Sequence, residues 1–388
     1  MKMEHKPNEI YMGFEQGPIR PPSEAESLLV RVTRNCPWNR CTFCPVYKGS
    51  RFSIRPKDHV IKDIDSVFRS VEIIQQAARE QEKASLPQIR KAAVNDPHLD
   101  PRAFNAALNW AAGGMRSVFI QDANSLIIKS SDLVEILTHL KMRFPWIERI
   151  TSYARSHTIA RISDDNLKAI KDAGLNRIHI GLESGSDTVL KMTQKGVSKE
   201  THIKAGLKVR NAGMELSEYV MPGLGGKTFS REHAMETADA LNRINPDFIR
   251  LRTLAIPDSV PLFDKFESGS FEKSTDLMMA EETLVFIESL NDITSAVKSD
   301  HILNLFQNLE GKLPEDRENM LDILRGFLAM TPDRQCIYQV GRRLGFFSAL
   351  SDMENPRRLE RAERACKDFG ITPANVDGMM DELMKRFI

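Results

Sequence analysis

The chain has 388 residues, 54 of them Lys or Arg and 53 Asp or Glu, for a formal net charge of +1. That balance excludes a globally basic nucleic-acid binder or polycationic membrane-surface protein, and no apolar run approaches the roughly 20 residues of a membrane helix. Five cysteines, an odd and sparse count, do not make a disulfide scaffold, and Met1 to Arg20 lack the apolar core of a signal peptide. The expectation is a cytoplasmic chain with reduced thiols, long enough for a large core and more than one domain.

In chain order, the first apolar strand is Leu28 to Val32, and it runs directly into Cys36-Pro-Trp-Asn-Arg-Cys41-Thr-Phe-Cys44. No acidic residue lies between Ser27 and Lys57, whereas Arg31, Arg34, Arg40, Lys48, Arg51 and Arg55 are basic, so a positive field around the thiols is expected. Apolar residues at three- and four-residue spacing then predict a helix from about Val60 to Glu82 and another from Arg102 to Ala112, closed by Gly113-Gly114.

From there strands and helices alternate. Ser117 to Ile120, Arg149 to Tyr153, Arg177 to Leu182, Leu216 to Met221 and Phe248 to Leu254 read as strands. The intervening helices open near Ser131, Ser163, Ser198 and Ser230 and stop before Pro145, at Gly174, at Gly213 and at Ile244. With Leu28 to Val32 this gives six strands separated by helix, the pattern of a parallel sheet curling towards a barrel. After Glu267-Ser268-Gly269-Ser270, a linker, the chain reads as helical without strands: about 280–290, 300–310, 315–329, 356–369 and 375–387. The expected domains are an amino-terminal extension (1–24), the α/β barrel (25–262) and an all-helical carboxyl-terminal domain (263–388).

Three close thiolates make an incomplete metal site. A structural zinc wants four ligands, as does a closed iron–sulfur cube. The other two cysteines, Cys336 and Cys366, are distant in sequence, and the nearest histidines, His5 and His59, are not at ligand spacing. A zinc knuckle with a remote ligand and a cluster with one open iron both remain. Chemistry on a parallel barrel sits on loops after the strands, and the cysteine loop follows the first strand.

The triplet resembles the cluster-binding loop of the radical S-adenosylmethionine (SAM) superfamily, commonly C-x3-C-x2-C with an aromatic residue before the last cysteine. Here Phe43 keeps the aromatic, and the first gap is one residue longer. The resemblance covers about Ser27 to Leu262 and is strongest to the subgroup of methylthiotransferases and anaerobic coproporphyrinogen oxidases. It implies a partial (β/α)6 barrel in which Cys36, Cys41 and Cys44 bind a [4Fe–4S] cluster. SAM binds the open iron, and one-electron reduction cleaves it to a 5′-deoxyadenosyl radical that abstracts hydrogen from a substrate.

Further residues follow from the same resemblance. Gly181-Leu182-Glu183-Ser184-Gly185-Ser186-Asp187 is similar to a family segment whose Glu contacts the SAM ribose, and Lys195, twelve positions later, matches the residue that pairs with the SAM carboxylate. Chemically the pair suits these tasks, since Glu183 offers two acceptors and Lys195 a positive charge. The turn Met221-Pro222-Gly223-Leu224-Gly225-Gly226 matches the family's adenine-lining turn, with Met221 and Gly223 at its entry and Phe43 nearby. Asp122 and Asn124 occupy the loop that holds the SAM amino group, or simply make a turn. Tyr153 falls where relatives carry a SAM-binding Glu. Arg155 faces a carboxylate of SAM or substrate, or makes a rim salt bridge.

The absence of further cysteine clusters points to a single-cluster enzyme acting on a small or medium-sized molecule, with an external one-electron donor of flavodoxin or ferredoxin type. No membrane partner is expected, and nucleic acid is disfavoured. A non-catalytic iron–sulfur protein, either an electron carrier or a SAM-binding sensor, is the alternative. The carboxyl-terminal helices are expected to cap the barrel mouth, with Ser299, Asp300, His301 and Asn304 at the start of a helix, as pocket groups or as an ordinary cap.

Overall fold

The computed structural model describes residues 9–80 and 96–384. It is an α/β fold with a mainly parallel sheet. Strand β1 (Leu28–Arg31) leads into a small antiparallel hairpin, β2 (Thr33–Arg34) with β3 (Ser53–Ile54), whose connecting loop carries the three clustered cysteines. Helices α1 (Lys57–Glu80) and α2 (Pro101–Ala112) follow; the expected end of α1 at Glu82 lies outside the described residues. Then come β4 (Ser117–Gln121), α3 (Ser130–Arg143), β5 (Arg149–Ala154), α4 (Asp164–Asp172), β6 (Arg177–Glu183), α5 (Asp187–Met192), α6 (Lys199–Asn211), β7 (Glu215–Val220), α7 (Gly226–Ile244) and β8 (Phe248–Leu251). All six strands expected from sequence are present.

The caps explain several boundaries. Asp100 accepts from the amides of Arg102 and Ala103 to open α2, and Ser163 accepts from Asn166 to open α4. Helix α7 starts a turn before Ser230, at Gly226, and ends where Asn245 turns left-handed at φ +49°.

The chain divides into two compact units. The first comprises Met1–Asn39, Gly49–Ile180 and Lys208–Glu215. In it β1, β4, β5 and β6 lie side by side in parallel register, with Leu28 opposite Val118, Ser117 opposite Arg149 and Thr151 opposite Arg177. Helix α1 packs against α2 and α3. Trp110 and Phe144 meet edge to face at 5.0 Å, and the indole N–H donates to the Ser117 carbonyl (2.8 Å).

The second unit comprises Arg40–Lys48, Gly181–Leu207 and Leu216–Ile388. Its strands β7 and β8 are parallel, Glu218 standing opposite Ile249. Two further strands extend this sheet: β9 (Ala296–Lys298), parallel to β8, and β10 (Gly311–Lys312), antiparallel to β9. Between β8 and β9 come α8 (Pro261–Glu267) and α9 (Asp276–Glu288); after β10 come α10 (Arg317–Leu328), α11 (Pro332–Arg343), α12 (Pro356–Asp368) and α13 (Val376–Met384). The tail of the last expected helix, beyond 384, lies outside the described residues. Helix α9 packs against α7 and α10, and α11 against α12 and α13.

Two expectations for this region are corrected. The segment after residue 263 is not strand-free, and residues 300–310 are not a helix. Side chains there satisfy the backbone in place of a helical ladder. Asn304 accepts from the Thr253 amide (2.9 Å) and donates to the Leu251 carbonyl (2.8 Å), and Ser299 donates to the Phe306 carbonyl (2.6 Å). Arg343 of α11 donates to the Leu303 carbonyl (2.6 Å) and pairs with buried Asp276 (3.0 Å). Among the described residues no helix is long and apolar enough to cross a membrane.

Candidate radical SAM site

The cysteine loop leaves the first unit at Asn39 and returns at Gly49, so Cys36 belongs to the first unit and Cys41 and Cys44 to the second. All five cysteines are free thiols, and the three of the loop are half-buried. Asn35 (φ +65°) and Asn39 (φ +44°) supply left-handed turns on either side of Cys36. The second half of the loop is held by backbone: the Thr42 amide donates to the Thr193 carbonyl and the Leu262 amide to the Thr42 carbonyl, both at 2.9 Å. Lys48 donates to the Cys41 carbonyl (2.8 Å). Phe43, 7% exposed, packs into an apolar cluster with Met221, Leu224 and Leu254, against which Cys41 and Cys44 also rest.

As a donor set these residues suit an iron–sulfur cluster: three free thiols, with an apolar wall beside Cys41 and Cys44. Among the described residues no three Cys, His, Asp or Glu side chains converge to hold a single metal ion. Each thiolate of a cube binds its own iron, so its ligands need not meet at one point.

The expected positive field is neutralised in part. Arg34 pairs with Glu15 (2.8 Å) and Glu9 (2.6 Å), Arg31 with Glu15 (2.8 Å) and Asp122 (2.5 Å), Arg55 with Asp63 (2.6 Å), and Lys57 with Glu135 (2.5 Å). The Arg34 guanidinium holds the Glu9 carboxyl below its usual range. The acids come from distant segments, which a local charge count misses.

At the end of β4, Asp122 is 1% exposed and clamps the start of the cysteine loop: its Oδ2 accepts from Arg31 Nε (2.8 Å) and the Asn35 amide (3.3 Å). Asn124 accepts from the Arg155 amide (2.9 Å) and donates to Thr158 (2.8 Å). Both side chains are thus engaged within the protein. Tyr153 sits edge-on to Phe119 at 5.1 Å and lies 5.5 Å from the His179 ring. The Arg155 guanidinium covers the indole of Trp38, in the cysteine loop, at 5.1 Å. Trp38 was not singled out from sequence.

Glu183 ends β6 in the left-handed region at φ +64°, a conformation costly for a residue with a Cβ. Its carboxylate meets Lys195 Nζ at 3.1 Å, and both side chains are 13% exposed. Lys195 also lies over the Phe43 ring at 5.8 Å. The pair lies over Gly181: a Cβ there would stand 2.2 Å from Glu183 Oε1 and 3.0 Å from Lys195 Nζ, so a larger residue would displace the pair. Lys195 and Glu183, expected to contact different parts of SAM, meet each other here.

The Met221–Gly226 turn is braced by two residues that the sequence reading missed. The Gly223 amide donates to Glu282 Oε1 of α9 (2.7 Å), and Ser230 donates to Oε2 (2.6 Å). His233 Nε2 lies 3.0 Å from the Met221 carbonyl, which can only accept, so Nε2 carries the proton. Nδ1 then accepts from Ser184 (2.8 Å), the residue after Glu183. The Met221 amide donates to the Glu183 carbonyl (3.0 Å). Burial pushes the Glu282 carboxyl up, against the opposing pull of His233 and the donors from Ser230 and Gly223. The available signal was a Glu at a core-facing position of an otherwise apolar helix.

The family model described as the radical SAM superfamily matches residues 30–238, more than half of the chain. The chain belongs to the radical SAM superfamily. That membership carries a [4Fe–4S] cluster and SAM as cofactors and makes it an enzyme of the radical SAM type. The tRNA uridine(34) acetyltransferase of Methanocaldococcus infernus is 23% identical over 111 residues, 28% of this chain and 21% of that protein. Among solved structures, Elp3 of the same archaeon shares 16% identity at TM-score 0.39, covering 48% of each chain. Coproporphyrinogen III oxidase (HemN) from Escherichia coli shares 16% at TM-score 0.43, covering 68% of this chain and 52% of that one. The chain therefore spans about a fifth of the curated relative's length and about half of these two solved chains.

Proposed function

We propose that this chain is a single-cluster radical SAM enzyme that abstracts a hydrogen atom from a small or medium-sized substrate. When bound, the cluster supplies an electron that cleaves SAM to the 5′-deoxyadenosyl radical. Cys36, Cys41 and Cys44 hold three irons. Lys195 turns from Glu183 to the SAM carboxylate, and Glu183 accepts from the ribose hydroxyls. The Met221–Gly226 turn and Phe43 flank the adenine. Asp122, Asn124, Tyr153 and Arg155 act by shaping the loops around the cysteines, Asp122 through Arg31 and Arg155 through Trp38. An external flavodoxin- or ferredoxin-type protein supplies the electron, and the setting is the cytoplasm, where thiols stay reduced. Residues 263–388 form a carboxyl-terminal domain that contributes to the site through Glu282.

The observation that carries this reading is the Glu183–Lys195 pair beside Phe43. A nearly buried ion pair is weak evidence of stability, because desolvation offsets its attraction. A pair beside Phe43 of the cysteine loop is better suited to exchanging partners. The test is anaerobic reconstitution, reduction in the presence of SAM, and detection of 5′-deoxyadenosine. A reconstituted cluster that binds SAM and never cleaves it would replace this reading with a sensor, and one that does not bind SAM, with an electron carrier.

A further inference from the structure

Two adjoining cavities lie in the second unit between α8, α9 and α13. The smaller, about 90 Å³, is walled by Phe266, Met279 and Met380 and by Ser274, Asp377 and Asp381. The larger, about 140 Å³, shares Phe266 and Asp381 with it and adds Ile256, Phe263 and Met384. A single water needs only about 10–15 Å³, so each has room for several heavy atoms. None of the residues proposed for the cluster or for SAM lines either cavity.

The charges around the smaller cavity do not cancel. Lys273, also on its wall, pairs with Asp381, and Asp276 pairs with Arg343 (3.0 Å). Asp377 accepts a long contact from the Asp276 amide (3.4 Å) and, among the described residues, has no ion-pair partner. Burial and then Asp276 push its carboxyl up, the mark of an acid short of positive charge. A place in the first turn of α13 suits an Asp by itself. It does not account for Ser274, which is 3% exposed and whose hydroxyl has no hydrogen-bond partner. A buried hydroxyl in that state is costly and calls for an explanation.

The wall thus combines an unneutralised carboxyl and an unsatisfied hydroxyl with a phenyl ring and two thioethers. An anion is repelled by it. A metal ion is poorly served, since half the wall is apolar and among the described residues no three ligating side chains converge. A primary alkylammonium answers every part: N–H donors for Asp377 and Ser274, a cation beside a phenyl ring, and an apolar chain.

We propose that the smaller cavity binds the nitrogen of a primary alkylammonium between Asp377 and Ser274, with the alkyl chain running along Phe266 into the larger cavity. Ile256 of the larger cavity also belongs to the apolar cluster of Phe43 and Met221, and Met279 lies against Gly223. The amine is therefore bound behind the Met221–Gly226 turn, apart from Glu183 and Lys195. The site stands whether or not SAM binds at that pair.

The test uses the full reconstituted chain without SAM, as wild type, Asp377→Asn and Ser274→Ala, titrated calorimetrically with pentylammonium, tetramethylammonium and 1-pentanol. Wild type is expected to bind pentylammonium at least about tenfold more tightly than the other two probes, and than either variant binds it. Ser274→Ala, the gentler change, keeps the test decisive if Asp377→Asn does not fold. In Phe266→Trp, the indole emission is expected to change saturably with pentylammonium. No saturable binding to wild type up to about 10 mM, equal affinity for the three probes or across the three proteins, or unchanged emission in Phe266→Trp overturns the proposal.

Discussion

Glu282 holds Gly223: a carboxylate on α9 accepts from the amide of a glycine in the turn after β7, at 2.7 Å and across 59 positions of sequence. Gly223 sits at φ +85°, and a Cβ there would meet Met279 Sδ, on the same helix, at 2.8 Å. The turn is thus held by an acid and lies against a methionine, both from the carboxyl-terminal third of the chain.

From this relationship, Glu282→Leu is expected to free the turn, leaving the Gly223 amide and Ser230 hydroxyl without their acceptor. The stability cost is about 1–3 kcal/mol, and SAM affinity falls about tenfold while iron content is unchanged. Glu282→Gln keeps an acceptor for the amide and recovers most of the affinity. Equilibrium SAM binding with parallel iron analysis checks this. Equal affinity in all three proteins would detach the turn from SAM.

Lys195→Ala removes the charge proposed for the SAM carboxylate. A charge-assisted hydrogen bond is worth about 1.5–3 kcal/mol, so SAM binding weakens about tenfold or more with the cluster retained. The same variant leaves Glu183 without its ion-pair partner. Lys195→Arg restores the charge but not the point geometry, and is expected to recover affinity only in part. Unchanged SAM binding in the alanine variant would remove Lys195 from the site.

Much of this was legible in the sequence. The strands β1, β4, β5, β6, β7 and β8 announce themselves as short apolar runs bounded by glycines and capping residues. The cysteine loop and the Glu183 segment stand out by spacing. Helix α11 escaped because its buried face is partly polar: Gln339, Arg342 and Arg343 are buried beside Cys336, Tyr338 and Val340, and the two arginines donate to the remote carbonyls of Asn304 and Leu303. Residues 300–310 read as helix for the complementary reason, since Asn304 bonds to the backbone of Thr253 and Leu251, which a sequence window cannot see. Glu282 and His233 matter through tertiary partners. No local pattern reports that.

Acid stability gives a separate check on the first unit. Burial alone would raise the Glu24 carboxyl, but His179 and Ser27, with Arg149 nearby, bring it down to about 2. A depressed carboxyl contributes stability above its unfolded value, near 4.5, and that contribution is lost as pH falls towards 2. Glu24→Gln is therefore expected to cost roughly 3 kcal/mol at neutral pH. Its deficit relative to wild type should shrink below about pH 4 and vanish near the folded value. Urea unfolding at several pH values measures the difference. A deficit independent of pH would mean that Glu24 acts through packing alone.

The most direct measurement is 5′-deoxyadenosine formed from SAM after anaerobic reconstitution and reduction, in wild type and in Cys36→Ala, Cys41→Ala and Cys44→Ala. The expected result is about four irons per wild-type chain and nucleoside formed by wild type alone, with Cys336→Ala and Cys366→Ala behaving as wild type. A single tightly bound zinc without sulfide, or nucleoside formation that survives loss of any one of the three loop cysteines, would contradict the account.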